Sequence, residues 1–168
     1  RFLVVAFLSA ASVAVAAAPR DRKFVTSPTL STEARTLVNL LEQAHYNRDA
    51  VRSADYAEVI PNYMSDLDGQ RLFFLETDKK SFNNLYGKNI YWNLSALGNI
   101  DAAYEIFKVY ESRTRARINW IFEELTKDFD FSANDSYRAD RTKSEWPASM
   151  ADADNLWRQR LKFELITE

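Results

Sequence analysis

Apolar side chains recur along most of this chain in steps of three and four, the spacing of an amphipathic helix. Ser31 or Thr32 can cap a first helix that places Leu37, Leu40, Leu41 and Ala44 on one stripe. Ser53 can cap a second, with Tyr56, Val59, Ile60, Tyr63, Met64 and Leu67 inward; Pro61 falls inside it and predicts a kink or break. Asp66 to Gly69 reads as a turn, and Leu72-Phe73-Phe74-Leu75 is too short to be a helix by itself. Thr77 or Asp78 then suits the N-cap of a short helix carrying Phe82, Leu85 and Tyr86, ended by Gly87.

The most regular stretch runs from Ile100 to Leu125 and displays Ala103, Tyr104, Phe107, Tyr110, Thr114, Ile118, Ile121 and Phe122. It predicts one long helix, the spine of the domain. From Asp128 to Ala148 the periodicity stops. Phe129-Asp130-Phe131 alternates, turn formers follow, and Tyr137 and Trp146-Pro147 are large groups suited to pin an irregular segment against helices. Ser149 and Asp152 resemble a capping pair for a last helix with Leu156, Trp157, Leu161 and Leu165. The expected fold is all-α: an irregular helical bundle with one long central helix and an aromatic-pinned irregular segment before the last helix.

The ends add a second layer. Phe2 to Ala18 carries no charge, turns Ala-rich, and offers Ala14-Val15-Ala16 as a small-x-small cleavage site, with Arg1 as the remnant of a basic leader. Residues 1–18 therefore read as a signal peptide incomplete at its start, 19–30 as an extended linker, and 31–168 as the helical domain. An uncleaved anchor is the alternative, since the run approaches the lower limit for spanning a bilayer. The absence of an initial methionine, and a last helix reaching Glu168 without a stop signal, lead us to expect a piece of a longer protein.

Composition narrows the chemistry. The 168 residues include 22 Lys plus Arg against 24 Asp plus Glu, a net charge of -2 that gives no bulk attraction to nucleic acid or anionic lipid. With no cysteine there is no disulfide, thiolate nucleophile or lipid-modified cysteine, and His45 alone leaves too few imidazoles for a His-rich metal centre. No phosphate-cradling glycine loop is present, and no serine has a lysine three positions on. His45 reads as a capping or packing residue, Glu123, Glu124, Asp128 and Asp130 as a solvated face, and Arg113, Arg115 and Arg117, spaced by two, as solvated surface. Asn93-Leu94-Ser95 and Asn134-Asp135-Ser136 match a glycosylation sequon that matters only in a eukaryotic source. We therefore assign no catalytic, metal or cofactor residue, and the residues themselves name no reaction.

One string is distinctive. Phe129-Asp130-Phe131, Asn134-Asp135-Ser136-Tyr137, Asp140-Arg141 and Trp146-Pro147, followed by Leu156-Trp157 and Lys162-Phe163, resemble the N-terminal domain of bacterial tail-specific (carboxy-terminal processing) proteases. Earlier pieces agree in order: His45-Tyr46, Leu67-Asp68, and Phe73-Phe74-Leu75-Glu76-Thr77-Asp78 before Phe82. The resemblance covers roughly residues 30 to 168. It implies a periplasmic serine endopeptidase in which this helical region precedes a PDZ domain and a catalytic domain with a Ser-Lys dyad, neither within this sequence. Its partners would be those domains, protein substrates and an envelope adaptor. The alternative is a stand-alone exported helical protein-binding module.

Overall fold

The computed structural model describes residues 24–44, 55–133 and 135–167, which form helices and coil with no β-strand among them. Helix α1 (Pro28–Ala44) starts earlier than its sequence suggests. The Leu30 N–H donates to Ser27 Oγ at 3.2 Å, so Ser27 is the cap, and Pro28 follows where a missing N–H costs nothing. Thr32 instead donates its hydroxyl to the Pro28 carbonyl inside the helix, at 3.0 Å. The leucine stripe also faces the other way: Leu37, Leu40 and Leu41 are 57%, 59% and 40% exposed, and Val38 is the buried residue. The packed edge runs through Ser31, Ala34 and Val38, small groups that let α1 approach the backbone beneath it.

A 3-10 turn (Asp55–Glu58) leads into α2 (Val59–Leu67). Pro61 lies in the first turn of α2, where backbone N–H groups have no helical partner anyway, so the helix neither kinks nor breaks. Ser53 lies outside the described residues. After a coil, α3 (Glu76–Tyr86) is capped by Leu75, whose N–H donates to Asp78 Oδ2 at 2.8 Å; Thr77 and Asp78 thus sit within the first turn. Gly87 is the C-cap at which α3 ends, as its sequence suggests, although its backbone stays right-handed. The helical course continues through a 3-10 turn (Gly87–Asn89), α4 (Ile90–Trp92) and a π-turn (Asn93–Leu97). The stop comes at Gly98, with φ 62, where a Cβ would lie 2.0 Å from the Ser31 carbonyl oxygen. Only glycine allows both the left-handed turn and α1 crossing so close.

The long helix is present as α5 (Asp101–Glu124, 24 residues). Its apolar stripe is used in the first half only. Ala102 and Ile106 are buried there, whereas Ile118, Phe122 and Leu125 are exposed and Arg117 and Glu124 are buried in their stead. Ahead of α1, Phe24 stacks on Tyr104 of α5 at 5.5 Å, and Thr26 gives both its N–H and its hydroxyl to Asp101 Oδ1, at 3.0 and 2.6 Å. Those bonds, the hydroxyl's first, hold the Asp101 carboxyl below the usual carboxylate range.

Helix α6 (Met150–Thr167) starts as expected: Ser149 Oγ accepts the Asp152 N–H at 3.2 Å and donates to its carboxylate at 2.7 Å. Arg113 meets Met150, Arg117 meets Asp154, and Glu124 meets Arg158. Partners advance along both helices together, so α5 and α6 run in parallel and the irregular segment is the return crossover between them.

Two apolar clusters hold the bundle. One joins Ile60, Met64, Phe74, Phe82, Ile106 and Trp146; the other joins Val38, Tyr56, Ile90 and Ala102. Trp146 places the crossover in the main core, so the aromatic pin is real. Among the described residues no helix is long and apolar enough to cross a membrane.

Candidate functional site

The densest polar arrangement begins where α2 ends. Asp68 leaves the helix with its N–H still bonded to the Met64 carbonyl at 3.0 Å, which turns its side chain inward, only 3% exposed. The carboxylate is surrounded by donors. Oδ1 accepts the Leu72 N–H at 2.8 Å; Oδ2 accepts the N–H groups of Phe73 and Phe74 at 2.9 and 3.0 Å and the Trp146 indole N–H at 2.9 Å. Coil 72–74, too short to supply its own backbone partners, is folded by one side chain. Leu72 and Phe74 thereby point into the core, 4% and 0% exposed.

Three further bonds close the junction. Trp157 of α6 donates its indole N–H to the Leu72 carbonyl at 2.9 Å, Glu76 donates its N–H to the Pro147 carbonyl at 3.0 Å, and Arg141 donates its N–H to Gln70 Oε1 at 3.0 Å. Arg71 takes a left-handed φ of 56, uncommon for a side chain with a Cβ, which sends its guanidinium back over the Trp146 ring at 3.9 Å and onto Ser65 Oγ. Burial pushes the Arg141 guanidinium down from its usual value. The strained Arg71 backbone is held by what its side chain gains at this joint.

The arginine series reads differently in three dimensions. Arg115 pairs with Glu111 at the surface, at 2.9 Å, as a solvated residue does. Arg113 and Arg117 are four apart and share the opposite face. Arg113 reaches Asp78 of α3 at 2.8 Å; Arg117, 6% exposed, reaches Asp154 of α6 at 2.7 Å and lies 4.6 Å from the Trp120 ring. Glu124 likewise departs from the expected solvated acidic face. It is buried between Arg158 at 2.6 Å and Lys127 at 2.7 Å, which hold its carboxyl below the usual range, and its hydrogen bond in turn raises Arg158. Glu123, Asp128 and Asp130 do face solvent.

Between α5 and the start of α6 remains a groove of about 480 Å³, walled by Phe73, Val109, Ala116, Trp120 and Met150, with Arg113 and Arg117 along its floor. Asn93 belongs to the π-turn, where Ser95 donates its hydroxyl to the Tyr91 carbonyl at 2.7 Å. His45 and Asn134 lie outside the described residues. Among those residues no three acidic or imidazole groups gather where they could hold a metal ion. What the arrangement does chemically is lock: a buried carboxylate, two indole N–H donors and paired guanidiniums join α2, α3, α5, α6 and the crossover. Sequence reasoning singled out Trp146-Pro147 and quoted Asp68 only within the family resemblance, because the Trp146 donor that makes it a junction lies 78 positions away.

Comparison with known proteins gives two findings. The family profile described as "Tail specific protease N-terminal domain" matches residues 37–168. A tail-specific protease of Haemophilus influenzae is 27% identical over 146 residues, which are 84% of this chain and 21% of that relative. The chain thus spans about a fifth of the length of the curated relative that it matches.

Proposed function

The chain belongs to the tail-specific protease N-terminal domain family, and from that membership we propose that it is the non-catalytic leading frame of a periplasmic serine endopeptidase that processes envelope proteins from their C-termini. The observation that carries this reading is the junction on Asp68. Phe73, Phe74, Trp146, Pro147 and Trp157, among the residues by which the sequence resembles the family, converge there, and their polar groups are engaged by the Asp68 carboxylate, the Leu72 carbonyl and the Glu76 N–H. Groups so engaged rigidify a scaffold.

The reaction itself belongs to the remainder of the protein. There a PDZ domain takes an apolar C-terminal segment by strand addition, and a neutral lysine deprotonates the attacking serine. The frame holds that body, shapes access to it and offers its outer surface to an envelope adaptor. The uncharged segment Phe2 to Ala18 supports delivery across the bacterial inner membrane.

The test has two arms. The reading frame beyond codon 168 is sequenced, and the 168-residue chain is incubated with a reporter ending in apolar residues. We expect a PDZ segment and a serine-lysine pair downstream, and an intact reporter. A downstream frame lacking both, or cleavage of the reporter by this chain, overturns the proposal.

A further inference from the structure

The end of α6 carries apolar side chains that the described bundle does not cover. Ala153 and Trp157 define the face that α6 turns to the bundle, both buried. Ile166 comes nine positions after Trp157, about two and a half turns, and so points to the opposite side. Beyond Lys162, Phe163 meets the Tyr137 ring of the crossover at 5.4 Å and the rest of the last turn is exposed. Phe163, Leu165 and Ile166 are 38%, 50% and 68% exposed, and even Glu164, on the bundle-facing side, is in solvent. Phe131 of the crossover, 53% exposed, joins Phe163 and Ile166 in lining a shallow cleft of about 110 Å³. A turn that is apolar on several faces marks a helix with more to bury than its present partners take.

We infer that this patch is the seat of the polypeptide that follows residue 168, which folds back over the last turn of α6 and covers Phe131, Phe163, Leu165 and Ile166. The inference rests on reading the chain as the leading domain of a longer protease, since that reading supplies the polypeptide. A family defined as an N-terminal domain has its remaining mass after α6, and the matched relative is mostly outside the shared region. A segment tethered at the patch reaches it at millimolar effective concentration, ahead of any second copy or separate partner. Charge points the same way. The cations at the rim are already engaged, Lys162 by Asp135 and Arg160 by Glu164, so the patch favours an apolar cover over an anionic lipid surface. The α6 end is then a rigid joint and not a swivel.

The test uses the full-length protein and its Ile166→Asp variant, compared by hydrogen exchange with mass spectrometry. Ile166 touches too little of the bundle for the change to unfold it, and the amides of residues 72–76 serve as the internal control. In the wild type we expect amides 163–167 to exchange at least tenfold slower than an uncovered helix end. In the variant they and the segment after residue 168 should speed up tenfold or more, with 72–76 unchanged. Fast exchange of 163–167 in a full-length protein that retains its PDZ and protease parts overturns this inference and leaves the proposed function standing. Protection that appears only as concentration rises assigns the patch to a second copy and overturns it too. A frame with no following domain overturns the proposed function, and this inference with it.

Discussion

Replacing Asp68 by asparagine keeps the shape of the junction and removes its charge. Asparagine has one acceptor oxygen and a two-donor nitrogen. Placed at the Oδ2 position, the oxygen keeps the three bonds from Phe73, Phe74 and Trp146, now neutral, and the nitrogen confronts the Leu72 N–H with a second donor. Passing from a charge-assisted to a neutral bond forfeits about 1 kcal/mol each, or about 3 kcal/mol for three, and one buried N–H left unpaired adds about 1–3 kcal/mol. Relief from desolvating a buried carboxylate offsets part of that loss, so we expect a net destabilisation of about 2–4 kcal/mol. With a urea m-value of about 2 kcal/mol/M, the unfolding midpoint falls by about 1–2 M. The assay is urea titration followed by far-UV circular dichroism and tryptophan fluorescence. Trp146→Phe, which removes one donor and keeps most of the ring, should cost less than Asp68→Asn, and the double variant should cost less than the sum. A midpoint shift below about 0.3 M for Asp68→Asn would refute the claim that this carboxylate organises the fold.

Two other outcomes follow from the charged residues. Arg117→Ala should lower stability by about 2–3 kcal/mol, through lost packing on Trp120 and the broken pair with Asp154, while Arg115→Ala changes it by less than about 0.5 kcal/mol. Equal effects at the two positions in thermal melts would contradict the assigned faces. Glu124 titrates in the folded chain below its unfolded value, so its contribution is complete above the ordinary carboxyl range and is lost as pH falls through the folded value. The stability gap between the parent and Glu124→Gln, about 1 kcal/mol at pH 7 given the half-exposed Arg158 and Lys127, should therefore narrow in urea titrations as the pH falls through and below the ordinary carboxyl range. A gap that stays constant would show that the carboxylate is not held by its cations.

Features set by near neighbours could be read from the chain, and those set by distant ones could not. The spacing from Ile100 to Leu125 gave α5, and the Ser149–Asp152 pair gave the start of α6, since each depends on residues within one turn. Trp146 announced the pin, because so large a ring in an irregular stretch has to be buried. The leucines of α1 misled because contact with the π-turn selects small residues: Ser31 passes against Gly98, and bulk is pushed to the far side. The arginines misled because spacing by two spreads neighbours around a helix, while Arg113 and Arg117, one helical step of four apart, fall on the same face. Asp68 beside Gly69 reads as an ordinary turn, since the partner that gives it meaning is 78 positions away.

That separation sets an order of assembly. During synthesis the ribosome releases α1 to α5 well before Trp146 and Trp157 emerge. Until then the Asp68 carboxylate is one donor short, and the Leu72 carbonyl lacks the indole that later seals it. The earlier helices can pair locally while the nascent chain grows, but closing so long a loop must wait for the crossover to arrive. The domain is completed from its far end backward, by two tryptophans acting as the last keys.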